Sequence, residues 1–104
     1  MSAVIIVATA FPIPEHRDEV IAAFEAAIAQ VHEEEAGCEL YALHEGPDRL
    51  IMIEKYASEE AVAAHRKGAG LAGLIAALDG KLRSPIEVHA LVPHPAGTPG
   101  KGAL

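Results

Sequence analysis

The chain has 104 residues, 51% of them apolar, with 8 basic and 15 acidic side chains and a formal charge of −7. That length holds one hydrophobic core and not two. The negative balance excludes a nucleic-acid backbone or an anionic membrane surface as partner, since both would be repelled. A small neutral or mildly polar molecule, or another protein chain, is accommodated more easily.

The single cysteine, Cys38, cannot form an internal disulfide and fits a reducing, cytoplasmic compartment. Its simplest role is that of a small buried apolar side chain. The opening Met1-Ser2-Ala3-Val4-Ile5-Ile6-Val7 has no preceding Lys or Arg and no long apolar segment, which predicts neither a secretory signal nor a membrane span.

In chain order, residues 3–11 are rich in β-formers and closed by Pro12 and Pro14, the pattern of a first strand. Over 15–36, Val20, Phe24, Ala27, Ile28 and Val31 share one helical stripe. Glu15, Asp18 and Glu19 suit the positive end of that helix, and Gly37 is a natural stop. The run Glu33-Glu34-Glu35 lies at the opposite end and reads as a solvated face. Segments 38–45 and 50–56 flank the turn signal Gly46-Pro47-Asp48 and form an antiparallel hairpin. Ser58 with Glu59 and Glu60 opens a short helix running to about Lys67. After Gly68 and Gly70, Leu71, Leu74, Ile75 and Leu78 restore a helical stripe. Residues 85–92 form the last strand, and 93–104 are a Pro/Gly-rich tail outside a domain of residues 1–92.

The order strand, helix, strand, strand, broken helix, strand predicts an α+β, ferredoxin-like βαββαβ sandwich: a four-stranded antiparallel sheet with helices on one face. Strands one and three occupy the centre of that arrangement. They are also the strands apolar at successive positions, Val4-Ile5-Ile6-Val7 and Leu50-Ile51-Met52-Ile53, and so must be buried on both faces. Helices cover only one. A second copy packed sheet to sheet would cover the other, giving a homodimer in the form of a dimeric α/β barrel. Burying about six such side chains is worth on the order of 10 kcal/mol per chain.

Several candidate site residues converge. His65 shares a helix face with Ala61 and Val62, pointing toward the sheet. There, desolvation favours a neutral imidazole able to act as a base. The alternative is a core histidine bonded to a backbone carbonyl or to Glu54. Glu54 and Tyr56 share a strand face with Leu50 and Met52. Glu54 either orients His65 or forms a structural ion pair with Arg66 or Arg83, with the structural pair favoured. Tyr41 and His44 have opposite parity, so at most one of them faces the same cavity. His89 is equally open, whereas His16, His32 and His94 read as surface. No His-x-His or His-Glu-x-x-His spacing predicts a metal site. Gly68-Ala69-Gly70 follows a helix and so is no phosphate loop, and no flavin or nicotinamide motif is visible.

The segments Glu35-Ala36-Gly37-Cys38-Glu39-Leu40-Tyr41, Ile53-Glu54-Lys55-Tyr56-Ala57-Ser58-Glu59-Glu60-Ala61 and Ala64-His65 resemble the antibiotic biosynthesis monooxygenase (ABM) domain family. The resemblance spans about residues 4–92. Members often read Glu-Pro-Gly-Cys with a following Tyr, then Glu-x-Trp-x-Ser-x-Glu-Ala with a His four residues on. This chain carries Tyr56 in place of the Trp, Met52 where some members have Asn, and Ala69-Gly70-Leu71 in place of a Pro-His-aromatic step. The resemblance implies a dimeric ferredoxin-like fold and a monooxygenase working without a cofactor. The expected substrate is a small phenolic or quinol-type molecule, with His65 as base and Tyr56, Met52, Glu54, Phe24 and Tyr41 around the pocket. Proton-transfer isomerisation by the same base, or non-catalytic binding of a small molecule, are the competing readings. Haem degradation is disfavoured by the missing Trp and Asn.

Overall fold

The computed structural model describes residues 3–104. Strand β1 (Val4–Ala10) leads through a short 3-10 turn (Pro14–His16) into helix α1 (Arg17–Glu34). A hairpin of β2 (Cys38–Glu45) and β3 (Leu50–Tyr56) follows, then helices α2 (Glu59–Arg66) and α3 (Ala69–Leu78), and finally β4 (Glu87–Leu91). The four strands form one sheet in the order β2-β3-β1-β4, with every neighbouring pair antiparallel. The two strands apolar on both faces are therefore the central ones, as the patterning requires.

Register decides which side chains meet the helices. Val4 pairs with Tyr56, Ile6 with Glu54, Ala8 with Met52 and Ala10 with Leu50, so these rows face one way. Ile5, Val7, Ile51, Ile53 and Lys55 face the other. The helix side closes over a core in which Val20, Phe24, Ala27 and Val31 of α1 pack on Leu50, Met52 and Tyr41, joined by Leu74 and Leu78 of α3. Gly70 lets α3 approach α1, since a Cβ there would lie 2.8 Å from Val31 Cγ2. The opposite face carries no helix. Val7, Ile51 and Ile53 lie half-buried on it, and Lys55 Nζ donates a 2.8 Å hydrogen bond to the carbonyl oxygen of Leu104.

Helix starts follow local chemistry. Ser58 caps α2, its hydroxyl accepting the Ala61 N–H at 3.2 Å. Helix α1 begins two residues later than the sequence suggests because Pro14 starts a 3-10 turn, which fills the first helical turn. In α3 the stripe narrows to Gly70, Leu74 and Leu78, and Ile75 is 60% exposed. Position 75 lies at the margin of the buried stripe, beside a surface groove formed with Leu78, Leu82 and Ile86. Strand β4 is exposed along its whole length, because the helices reach across β2, β3 and β1 but not over this edge. No helix among the described residues is long and apolar enough to cross a membrane.

Candidate active site

Alternation along β3 sends Glu54 and Tyr56 into the helix-covered side, where Glu54 is only 4% exposed and Tyr56 is fully enclosed. A carboxylate in such a place needs a donor. Tyr56 supplies it, its hydroxyl donating to Glu54 Oε1 at 2.6 Å. Burial pushes the Glu54 carboxyl above its ordinary value; the Tyr56 hydrogen bond and nearby His65 oppose that shift, and Glu35 adds to it. The Glu54–Arg66 or Glu54–Arg83 ion pair expected from the sequence is not formed. Arg83 donates instead to the Asp48 carbonyl at 3.2 Å, beyond the far end of the sheet. Arg66 makes no hydrogen bond or ion pair among the described residues.

His65, 5% exposed, projects from α2 onto the same spot. Its Nδ1 lies 2.7 Å from Glu35 Oε1, and its Nε2 lies 4.0 Å from Glu54 Oε1. The carboxylate that orients the ring is thus Glu35, a residue placed in the solvated run by sequence reasoning. Glu33 and Glu34 do face solvent. Glu35 differs because α1 ends at Glu34, and the next residue leaves the helical backbone at φ −110° and ψ 88°. That turn carries its side chain inward toward α2. An ionised carboxylate can only accept, so Nδ1 carries the hydrogen and Nε2 is left as the nitrogen able to take a proton. Among the described residues no buried side-chain nitrogen or oxygen lacks a partner. Nε2 has none at hydrogen-bonding distance, which makes it the ring nitrogen open to the cavity.

Two tyrosines clamp the ring. Tyr41 meets His65 edge-on with centroids 5.3 Å apart, and Tyr56 lies tilted at 5.2 Å. Burial holds both phenols above their usual range, with Glu54 contributing in each case, so neither hydroxyl is a ready proton donor near neutral pH. Cys38 is half-buried, and burial together with Glu35 pushes its thiol up to about 11, which leaves little thiolate.

A cavity of about 170 Å³ opens beside this group, walled by Ile6, Phe24, Met52, Val62, Leu71, Leu74 and Val88, with Tyr41, Glu54, His65 and Arg66 as its polar members. The structure thus brings His65, Glu54, Tyr41, Met52 and Phe24 to one cavity. Tyr56 stands behind Glu54 and does not line it. Of the ambiguous pair on β2, Tyr41 faces the site in register with Glu54, whereas His44 pairs with Ile51 on the opposite face and is exposed. His89 pairs with Val7 and also lies on that opposite face. Among the described residues no group of three or more His, Cys, Asp or Glu side chains is placed to hold a metal ion.

Fold and site together define a small ferredoxin-like α+β protein with a carboxylate-tethered imidazole at the wall of an apolar cavity. The model of the family described as antibiotic biosynthesis monooxygenase matches residues 3–76, and the chain belongs to that family. Among solved structures it is similar to Rv0793 from Mycobacterium tuberculosis at 28% identity, covering 93% of this chain and 100% of that one, with a TM-score of 0.84. It superimposes on PA3566 from Pseudomonas aeruginosa at 21% identity, covering 90% and 96% of the two chains, with a TM-score of 0.80. A crystal structure of an antibiotic biosynthesis monooxygenase matches at 20% identity, 88% and 99% coverage and a TM-score of 0.80. Comparison with curated proteins finds no match.

Proposed function

We propose that the chain is a monooxygenase that needs no cofactor and oxidises a small phenol or quinol, with His65 as its general base. The observation that carries this reading is the arrangement of one side chain: His65 Nδ1 is tied to Glu35 at 2.7 Å while Nε2 opens onto an apolar cavity. A base held in one tautomer and one orientation, beside a dry pocket, suits removal of a phenolic proton.

The substrate itself then supplies the electrons. His65 Nε2 takes the hydroxyl proton, and the resulting phenolate passes one electron to oxygen. Radical and superoxide combine at a ring carbon that bears hydrogen, forming a C–O bond, and the proton returns from His65 to the peroxide. Loss of the ring C–H proton to His65 breaks the O–O bond and releases hydroxide, which leaves as water. One oxygen atom stays as a quinone carbonyl and the other becomes water, so phenol and oxygen give quinone and water in balance. Phe24 and Met52 shape the pocket around the ring, and Tyr41 packs on the imidazole. The site residues all fall within the domain of residues 1–92, and the tail over 93–104 has no part in the chemistry. The reducing interior of the cytoplasm suits the single thiol.

The same reading pairs two copies through the helix-free face of the sheet, where Val7, Ile51 and Ile53 lie half-buried as an apolar patch. Oxygen uptake on a panel of hydroquinones and phenols tests the chemistry. Turnover that consumes oxygen and falls by about 10²–10⁴ in His65→Ala supports it. Turnover without oxygen consumption would point to isomerisation, and unchanged turnover in His65→Ala removes the base from the mechanism.

A further inference from the structure

Arg66 is out of keeping with the chain's other arginines. Acidic side chains outnumber basic ones 15 to 8, so a guanidinium here finds a carboxylate or carbonyl easily. Arg17 is held by Glu45 and the Gly46 carbonyl, Arg49 by Asp48, and Arg83 by the Asp48 carbonyl. Arg66, alone among the four arginines, makes no hydrogen bond or ion pair among the described residues. Yet it follows His65 directly on α2 and lines the same cavity. The negative end of α2 attracts a cation, but Lys67 at the helix end meets that need without facing the cavity.

The cavity's charges are arranged along its depth. Its inner wall carries Glu54, with Glu35 just behind His65, and both repel an anion. Arg66 and Val88 are its exposed members and mark the mouth. An anionic group therefore has one favourable position, at the mouth, and a planar guanidinium with all its donors unused matches a planar carboxylate. We propose that Arg66 is a specificity-determining residue that selects aromatic hydroxy acids, holding the carboxylate at the mouth while the ring enters the apolar pocket and the hydroxyl reaches His65. This rests on reading the cavity as the reaction site, but its test does not depend on turnover.

The experiment is binding of 4-hydroxybenzoate and of methyl 4-hydroxybenzoate to the full chain under argon, followed by calorimetry or by shifts of the His65 ring resonances. The native chain is expected to bind the acid about tenfold more tightly than the ester, as one charge-assisted pair provides. Arg66→Gln should bring the acid down to the level of the ester while leaving ester binding and thermal stability unchanged, and Arg66→Lys should keep part of the preference. The absence of any acid preference in the native chain, or the same preference in Arg66→Gln, would overturn the proposal. A clear acid preference without oxygen uptake on any phenol would instead sink the oxygenase reading and leave Arg66 as the selector of a bound acid.

Discussion

Gly68 and Glu35 lie so close that a Cβ on the glycine would stand 2.8 Å from Glu35 Oε2. The short link between α2 and α3 is thereby kept bare on the side where the carboxylate reaches His65. The absence of a side chain at 68 is part of how the imidazole is aimed.

Gly68→Ala is accordingly expected to displace the Glu35 carboxylate and loosen His65, lowering turnover about tenfold or more with little change in fold. Circular dichroism with steady-state oxygen uptake checks this. Full activity with an intact fold would show that the carboxylate does not need that space.

Glu35→Gln keeps a side-chain oxygen near Nδ1 but removes the charge that stabilises an imidazolium after proton uptake. We expect kcat to fall by about 10- to 100-fold with KM nearly unchanged, and the pH profile of kcat to move. A purely structural Glu35 would lower stability and leave the profile where it was.

The pH dependence of stability tests Glu54. Burial raises its carboxyl above the ordinary value of 4.5, so in the window above 4.5 the folded chain holds more protons here than the unfolded chain does. This group therefore costs nothing below 4.5, and stability falls as pH rises from there through the folded value. Glu54→Gln, whose amide oxygen can still accept from Tyr56, should flatten that fall and gain relative stability at neutral pH. Urea denaturation of both chains at pH 4.5 and pH 8 makes the comparison, and an identical pH slope would refute it.

Two further substitutions probe the frame. A Cβ on Gly37 would lie 2.6 Å from Ala61 Cβ, so Gly37→Ala should push α2 away from the β2 entry at about 1–3 kcal/mol. Leu50 is fully buried, and Leu50→Ala should cost about 2–5 kcal/mol. Chemical denaturation reads both.

Pairing through the helix-free face predicts that Ile53→Glu yields a folded single chain where the native protein sediments as a dimer. The sequence motivates this through the alternating rows of β1 and β3. A native chain that sediments as a monomer at micromolar concentration would remove the pairing.

The element order and the two central strands were legible because apolar periodicity is set by burial, which here acts on both faces of β1 and β3. Alternation set Tyr41 and His44 on opposite faces but left open which of them meets the cavity; the pairing of Tyr41 with Glu54 decides it, in a strand whose register shifts between Cys38 and Leu40. Glu35 was not legible. Three glutamates in a row look alike until the last helical residue is known, and only the backbone turn after Glu34 separates the inward one from its solvated neighbours. The Glu54 partner was missed for a related reason: Tyr56, two residues along the same strand, is a nearer donor than any arginine, but sequence spacing does not weigh a neutral hydroxyl against a charge.

Strand β4 contributes Val88 to the cavity and is bare along its length, with Val88 itself 59% exposed. A molecule in the pocket is thus separated from bulk water on that side by one thin edge instead of by packed layers. Loading and unloading at the mouth that Val88 shares with Arg66 therefore pass over the outermost rib of the sheet and leave the Glu35-held imidazole undisturbed.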